Sequence, residues 1–270
     1  MKFAYYTKKS YLKEDAKVLA FFERLRSVGH EIYDLSAGLQ DSTDMLLSLG
    51  GDGTFLAAAD YAAPADIPVL GINLGRLGFL SEYTLEEVTE PLLSGNYSLE
   101  TREMLMVGID GPVPEGFHGF ALNEAGIHRA GAGTLGVDVS LGGEALPTYW
   151  ADGLLVSTAS GSTAYALSVG GPICAPSVDA FIIAPVAPHN LNVRPLVVPS
   201  DSVIKLSVHG ARTRKVRLSL DNRDYLLDPD CRIIISPAPF LLKKVVLGKS
   251  NFINALRTKL FWGEDVRNNQ

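Results

Sequence analysis

The chain has 270 residues, of which 47% are hydrophobic and 20% charged, which is typical of a globular protein with a substantial core. The formal net charge of −6 excludes a generally basic surface for nucleic acid or anionic membranes, although local donors and a metal can still hold a small polyanion. No signal peptide and no apolar run near the ~20 residues of a membrane-spanning helix is recognisable. We therefore expect a cytoplasmic protein that binds neither nucleic acid nor membrane.

The first hundred residues alternate between strand and helix signals. Strands are predicted at residues 2–6, 31–35, 45–49 and 68–72. Helices are predicted at residues 14–28, 55–63 and 85–93. Because this alternation is typical of a mainly parallel sheet with helices on its faces, residues 1–100 are predicted to form an N-terminal α/β domain.

The pattern changes near residue 100, where short strand candidates separated by Gly, Pro, Asn and Asp begin. Their positions are 104–110, 136–141, 181–185, 203–208, 215–220 and 232–236. A β-rich second domain is therefore predicted at residues 101–245, with one helix inside it at residues 161–169. Residues 246–270 are predicted to carry a C-terminal helix, residues 251–260, that packs back on the N-terminal domain.

The strongest local motif is Gly-Gly-Asp-Gly-Thr at residues 50–54, between a predicted apolar strand and a predicted helix. Glycines let the backbone approach a ligand, and N–H groups at a helix start favour phosphate. Asp52 can then present a carboxylate to a phosphate, a magnesium ion or a hydroxyl, as phosphoryl transfer requires. The alternative is a tight strand-to-helix turn with Asp52 as the N-cap.

Gly-Gly-Asp-Gly resembles the signature of the kinase superfamily that groups NAD kinases, diacylglycerol and sphingosine kinases, and phosphofructokinases. Further segments resemble NAD kinases in particular. They are residues 71–80, 121–124, 152–165 with 170–172, 188–196 and 256–263. The resemblance implies an NAD kinase-like fold and transfer of the γ-phosphoryl group of ATP to the 2′-hydroxyl of the adenosine ribose of NAD.

The same resemblance assigns residue roles. Asp52 is the catalytic residue, which accepts or steers the proton of the 2′-hydroxyl. The residues implied to bind NAD are Gly53, Phe79, Asn123, Glu124, Asp152, Ser160, Thr163, Ala164, Tyr165, Ser168, Ala187 and Asn222. The residues expected to contact the phosphate donor are Gly50, Gly51, Gly53, Thr54 and Arg76.

Several of these residues also have a plainer interpretation. Asn123 and Glu124 can grip a ribose diol, or they can form a turn at a strand end. The hydroxyl-rich run at residues 160–163 can bind an anion or only cap a helix. Tyr165 can stack on a ligand or belong to a core or interface. Ala159 stands where the family usually has proline, which predicts a looser loop.

The resemblance implies ATP and NAD as substrates, a divalent cation expected to be Mg²⁺ and bound with ATP, and a homo-oligomer, either tetramer or dimer. No metal site built from protein side chains is predicted. Asp152 is implied to reach the site of a neighbouring subunit. Two other functions stay open: a diacylglycerol-type lipid kinase, which would leave residues 152–165 without a purpose, and a non-catalytic NADP(H)-binding sensor, which would not need Asp52.

Overall fold

The computed structural model describes residues 1–75, 78–209, 215–248 and 252–263. The chain divides into two compact units, the first combining Met1–Thr101 with Leu242–Gln270 and the second comprising Arg102–Leu241. None of the helices in the described ranges is both long and apolar enough to cross a bilayer.

The elements up to residue 102 are β1 (Lys2–Tyr6), α1 (Ala16–Ser27), β2 (Glu31–Asp34), β3 (Met45–Leu49), α2 (Asp52–Ala62), β4 (Val69–Ile72), α3 (Leu85–Ser94) and β5 (Ser98–Arg102). Short 3-10 turns cover Ser10–Lys13 and Leu35–Ala37.

The second unit contains β6 (Leu105–Asp110), β7 (Phe120–Ala121), β8 (Glu124–Arg129), β9 (Leu135–Leu141), β10 (Glu144–Ala145), β11 (Tyr149–Ala151), β12 (Gly153–Thr158), α4 (Tyr165–Ser168), β13 (Ala180–Val186), β14 (Leu196–Pro199), β15 (Ile204–His209), β16 (Val216–Leu220), β17 (Arg223–Leu227) and β18 (Arg232–Pro237). The chain then returns to the first unit with β19 (Leu242–Val246) and α5 (Phe252–Leu260).

In the first unit the strands form a sheet in the order β2-β1-β3-β4-β19-β5. The pairs β1–β2, β1–β3, β3–β4 and β4–β19 are parallel. Strand β3 is buried along its whole length, as expected for an apolar strand covered on both faces. The α/β class with a mainly parallel sheet is thus confirmed for this part of the chain.

The helices of the first unit begin and end at recognisable signals. The side chain of Asp15 caps α1 by accepting from the N–H groups of Lys17 and Val18. Thr84 and Glu87 form a capping box at the start of α3, and this helix ends at Gly95 with a φ of +69°. These caps explain why the predicted bounds of both helices lie within two residues of the observed ones.

The strands of the second unit, within its described part, form one sheet ordered β10-β9-β15-β18-β6-β7, with β11 also paired to β9, and another ordered β14-β13-β12-β8-β16-β17. A shared core takes side chains from both sheets, among them Val137, Ile233, Val156 and Leu218. This is a β-sandwich arrangement, and the β-rich class is confirmed.

Two details differ from the sequence predictions. Strand β19 begins at Leu242 and pairs in the sheet of the first unit, whereas the sequence placed residues up to 245 in the second domain. A strand pattern does not reveal its pairing partner, which explains the difference. The helix predicted at residues 161–169 is wrong: a 3-10 turn, Ser160–Thr163, and the single turn of α4 are separated by Ala164, whose φ of −102° and ψ of −131° are not helical.

Candidate active site

The Gly-Gly-Asp-Gly-Thr motif connects β3 to α2. Gly50 has a φ of +154°, and a Cβ at this position would lie 2.4 Å from Oγ1 of Thr54, so both the backbone conformation and the packing require glycine. Gly51 is the N-cap of α2 and offers no side-chain acceptor. The helix therefore begins without a side-chain cap, which is the arrangement that favours an anion.

The other two glycines of the motif have a different explanation. A Cβ at Gly51 or at Gly53 would meet no atom of the described residues within 4 Å, and both glycines are exposed. Packing within the chain therefore does not require glycine at these two positions. These glycines leave the backbone bare at the start of α2, and a bare backbone lets a phosphate reach N–H groups.

Asp52 is the first residue of α2, and its carboxylate is held by a distant loop. Oδ2 accepts from the N–H of Phe79 at 2.8 Å, and Oδ1 accepts from the N–H groups of Leu80 at 3.0 Å and Ser81 at 2.9 Å. A Cβ at Gly78 would lie 1.9 Å from Oδ1, so glycine is needed where this loop passes the carboxylate. The alternative interpretation of Asp52 as a helix N-cap is therefore wrong, because Gly51 occupies that position.

The three hydrogen bonds from the loop do not use all the acceptor positions of the Asp52 carboxylate. A carboxylate has about four acceptor positions, and the loop occupies three of them, two on Oδ1 and one on Oδ2. The side chain is only half-buried. The remaining position on Oδ2 can accept a hydroxyl proton from a bound molecule.

In the second unit, Asp221 holds the segment that contains Asn123 and Glu124. Its carboxylate accepts from the N–H groups of Leu122 and Asn123, each at 2.8 Å, and of Glu124 at 3.0 Å. Asp221 itself adopts a φ of +50° in the β16–β17 connection. Asn123 and Glu124 are thereby fixed side by side, and both residues are buried.

Glu124 has a strongly perturbed carboxyl group. Burial and the neighbouring Asp221 raise its pKa to about 8, while a hydrogen bond from the backbone N–H of Tyr165 opposes the rise. Its Oε2 is buried and has no hydrogen-bond partner among the described residues. Such a carboxyl carries a proton at neutral pH and can exchange that state for a hydrogen bond to a ligand hydroxyl.

Desolvation of its carboxyl also raises the pKa of Asp221, although the three N–H donors oppose this rise. Sequence reasoning missed Asp221. An aspartate followed by Asn222 between two strands indicates only a turn, and the N–H groups that Asp221 accepts from lie nearly a hundred positions away.

The hydroxyl-rich run lies directly against the segment held by Asp221. Oγ1 of Thr158 accepts from the N–H of Gly161 at 3.1 Å, and a Cβ at Gly161 would come within 2.2 Å of the carbonyl oxygen of Asn123. The hydroxyl of Ser162 bonds both the carbonyl and the N–H of Cys174. These contacts bring residues 160–165 and the Asn123–Glu124 pair together. The φ of Ala159, −58°, is one that proline would adopt, and the expectation of a looser loop there stays a prediction.

Tyr165 lies at the edge of this cluster, with a partly exposed ring that stacks on His128 at 5.9 Å between centroids. Nε2 of His128 lies 3.0 Å from Oγ of Ser219. Burial, with a smaller contribution from Arg217, lowers the pKa of His128 to about 4, so the imidazole is neutral at physiological pH. Sequence reasoning missed His128, because an isolated histidine in a strand carries no pattern.

Asp152 lies at the other end of β12 from Thr158, and the strand between them is ~20 Å long at the usual rise per residue. Arg129 binds it through two hydrogen bonds, from Nε to Oδ1 at 2.8 Å and from Nη2 to Oδ2 at 3.1 Å. The guanidinium group lowers the pKa of Asp152, which is therefore a carboxylate. Ala187 lies at this same end, because the N–H of Asp152 bonds the carbonyl of Val186.

The predicted site residues therefore fall into three groups. In the first unit, Gly50, Gly51, Asp52, Gly53, Thr54 and Phe79 lie together. In the second unit, one group lies around the end of β12 that carries Thr158: Asn123, Glu124, Ser160, Thr163, Ala164, Tyr165 and Ser168. The other group, Asp152 and Ala187, lies at the opposite end of this strand. Asn222 follows Asp221 in the β16–β17 connection, and Arg76 lies outside the described residues.

A resident metal site is not formed by the described residues. They contain no group of three or more His, Cys, Asp or Glu side chains arranged to hold a metal ion.

Comparisons with known proteins point to one family. Residues 4–94 match the family model of the ATP-NAD kinase N-terminal domain, and residues 122–246 match that of the ATP-NAD kinase C-terminal domain. An NAD kinase of Christiangramia forsetii is 43% identical over 238 residues, which cover 85% of this chain and 80% of that protein. An NAD kinase of Porphyromonas gingivalis is 42% identical over 258 residues, covering 94% of this chain and 88% of that protein.

Solved structures agree with the sequence relatives. An NAD kinase from Archaeoglobus fulgidus in complex with ATP has a TM-score of 0.72 and 26% identity, and the match covers 90% of this chain and 93% of that one. Yeast NADH kinase complexed with NADH has a TM-score of 0.87 at 24% identity, covering 100% of this chain and 90% of that one, and it supports the fold. With relatives above 40% identity along most of its length and with both domain models matched, the chain belongs to the ATP-NAD kinase family.

Proposed function

We propose that this chain transfers the γ-phosphoryl group of ATP to the 2′-hydroxyl of the adenosine ribose of NAD and so produces NADP. The observation that carries the proposal is the carboxylate of Asp52, which is fixed by three N–H groups, keeps an open acceptor position and lies at an uncapped helix start. Membership of the ATP-NAD kinase family supplies the two substrates.

Asp52 accepts or steers the proton of the attacking hydroxyl. Phosphoryl transfer depends on positioning and on electrostatic stabilisation more than on covalent chemistry, and a carboxylate held by three backbone bonds is a rigid positioning group. The exposed glycines of the motif and the first turn of α2 receive the phosphates, together with Thr54 and Arg76.

The second unit supplies the NAD pocket. The buried pair Asn123 and Glu124 binds a ribose diol through the amide and the carboxyl group, and the partly exposed ring of Tyr165 contacts the base. Further contacts with NAD are assigned to Ser160, Thr163, Ala164, Ser168, Ala187 and Asn222, and also to Gly53 and Phe79.

Mg²⁺ enters as part of the substrate, bound by the phosphates of ATP. Mg²⁺ commonly bridges phosphate oxygens and keeps several waters, so it needs few protein ligands.

A coupled assay for NADP formation tests the reaction. NAD and NADH are each offered with ATP and with polyphosphate, and diacylglycerol is offered with ATP as the competing acceptor. We expect NADP from NAD and ATP. Phosphorylation of diacylglycerol alone would assign a lipid kinase, and bound NADP(H) without any turnover would assign a sensor.

We also propose a homo-oligomer in which Asp152 serves the site of a neighbouring subunit. Its bidentate bond to Arg129 holds the carboxylate in one orientation, and its place at the far end of β12 separates it from Asn123 and Glu124 of its own chain. A carboxylate supplied by a second chain is effective only while the interface between the chains persists.

Mixing two inactive variants tests this arrangement. Asp52→Asn and Asp152→Ala chains are dissociated, combined and reassociated, and native mass spectrometry verifies the hybrids. We expect activity above the sum of the parents, because some sites then combine an intact Asp52 with an intact Asp152 from the other chain. Hybrids without rescue would show that each site is built from one chain, while the kinase activity itself would stand.

A further inference from the structure

The loop that holds Asp52 is itself held on its opposite side by two lysines. Nζ of Lys259, on α5, donates to the carbonyl oxygen of Gly78. Nζ of Lys244, on β19, donates to the carbonyl oxygen of Phe79 at 3.4 Å. The N–H groups of this loop thus point to the catalytic carboxylate, while its carbonyl groups meet two cations.

The two sets of hydrogen bonds share peptide units. The peptide that joins Gly78 to Phe79 carries the carbonyl bound by Lys259 and the N–H that donates to Oδ2 of Asp52 at 2.8 Å. The next peptide carries the carbonyl bound by Lys244 and the N–H of Leu80, which donates to Oδ1 at 3.0 Å. A cation at a carbonyl oxygen polarises the peptide and strengthens its N–H as a donor.

The positions of both lysines are tightly defined. Lys244 is only 1% exposed, and Oε1 of Glu82 lies 3.4 Å from its Nζ and 3.6 Å from that of Lys259. Nζ of Lys259 also lies 5.1 Å from the centroid of the Phe79 ring. A buried lysine is costly unless it is paired, so these ammonium groups are not part of a solvated surface.

We propose that Lys259 is a positioning residue for phosphoryl transfer, acting through the Gly78–Phe79 peptide on the carboxylate of Asp52, with Lys244 acting in parallel through the next peptide. The inference rests on the proposed function in one respect, the catalytic role of Asp52. It gives the C-terminal helix a part in the chemistry that the Gly-Gly-Asp-Gly motif alone does not reveal.

The test compares Lys259→Met, Lys259→Arg and the matched control Arg257→Met, which removes an exposed basic side chain from the same helix. We expect Lys259→Met to lower kcat roughly tenfold, the effect of one net hydrogen bond, with KM for NAD and for ATP changed less than about twofold. Lys259→Arg keeps a cation and most of kcat, and Arg257→Met changes neither constant. Full kcat in a folded Lys259→Met protein would overturn the proposal, as would an equal loss in the arginine variant.

A double-mutant cycle separates this inference from the function on which it rests. In an Asp52→Asn background, Lys259→Met should cost less than about twofold, because its effect passes through the missing carboxylate. A further tenfold loss there would show that Lys259 acts elsewhere and would overturn the inference. Unimpaired turnover by Asp52→Asn alone would instead remove the catalytic role of Asp52.

If Lys259→Met does not fold, Lys259→Gln keeps a neutral donor for the carbonyl of Gly78. The loss of charge should still lower kcat, and the same cycle with Asp52→Asn applies. A folded Lys259→Gln protein with full kcat would show that the cation is not needed.

Discussion

One aspartate in each unit is held by three consecutive N–H groups. Asp52 accepts from residues 79–81 and Asp221 from residues 122–124, all at 2.8–3.0 Å. Their neighbours differ: Asp52 begins helix α2 between two exposed glycines, while Asp221 lies beside the buried carboxyl of Glu124. The same arrangement can therefore present a carboxylate to a ligand in one place and position a binding segment in another.

The substitution Asp52→Asn tests most directly whether Asp52 has a catalytic role that Asp221 lacks. An asparagine retains one acceptor oxygen but no negative charge and no basic oxygen for the hydroxyl proton. We expect turnover to fall by about 10²–10⁴, the usual effect of losing a general base, while the Kd for NAD from titration calorimetry stays within a few-fold. A variant with near-normal kcat would reduce Asp52 to a loop anchor, like Asp221.

The substitution Asp221→Asn should lower stability and weaken NAD binding. The amide –NH₂ cannot accept from the three N–H groups, so at least one of them loses its partner, which costs about 1–3 kcal/mol of stability. KM for NAD should rise more than KM for ATP, because the Asn123–Glu124 segment loosens. Urea unfolding and steady-state kinetics measure both effects, with Asp224→Asn on the same hairpin as control. A selective ATP defect would contradict this assignment.

The pH dependence of stability tests the buried surroundings that Glu124 shares with Asp221. The folded-state pKa of Glu124, about 8, lies above its ordinary value of 4.5, so between these values the folded protein keeps a proton that the unfolded chain has lost. This contribution to stability is fully present below the ordinary pKa and is lost as pH rises through about 8. Urea unfolding at about pH 5 and about pH 8.5 should show the decline, and Glu124→Gln should reduce it. The exposed Glu144→Gln variant is the control, and an unchanged slope in Glu124→Gln would contradict the prediction.

The smallest expected effect concerns His128, whose contribution has the opposite sign. Its folded-state pKa, about 4, lies below the ordinary value of 6.5, so the unfolded chain binds a proton first as pH falls. Stability due to the neutral imidazole is present above 6.5 and is lost as pH falls towards 4. His128→Phe should keep the stacking on Tyr165 and weaken this acid sensitivity, as thermal unfolding at pH values across that window would show. Equal acid sensitivity in both proteins would place its origin in other groups.

The bounds of strands and helices, which depend on neighbouring residues along the chain, were the features best predicted from the sequence. Strands β1 and β3 have the predicted bounds, because each is a short apolar run with clear ends. The helix after the Gly-Gly-Asp-Gly-Thr motif was predicted from residue 55, yet it begins at Asp52. Glycines lowered the helical expectation for this turn, whereas the tertiary contacts of Asp52 hold it in the helix.

Features that depend on distant contacts were not predictable in the same way. The motif indicated Asp52 as the functional carboxylate, but not the loop 27–29 residues away that holds it. Arg129 and Lys259 were likewise missed, because each acts on a partner brought near only by folding. Residue type and local spacing therefore indicated the candidate chemistry, while the groups that orient it required the tertiary structure.

The return of the chain to the first unit has a consequence for how the protein is synthesised. Lys259 and the carbonyl it binds, that of Gly78, are 181 positions apart, so the ribosome makes the lysine long after the loop. At ~5–20 residues per second, roughly 10–40 s pass between the synthesis of the loop and that of Lys259. A nascent chain released before α5 would contain both family domains and the whole Gly-Gly-Asp-Gly-Thr motif, but without the ammonium group of Lys259. Synthesis of α5 is thus itself a step in assembling the hydrogen bonds around the loop that holds Asp52.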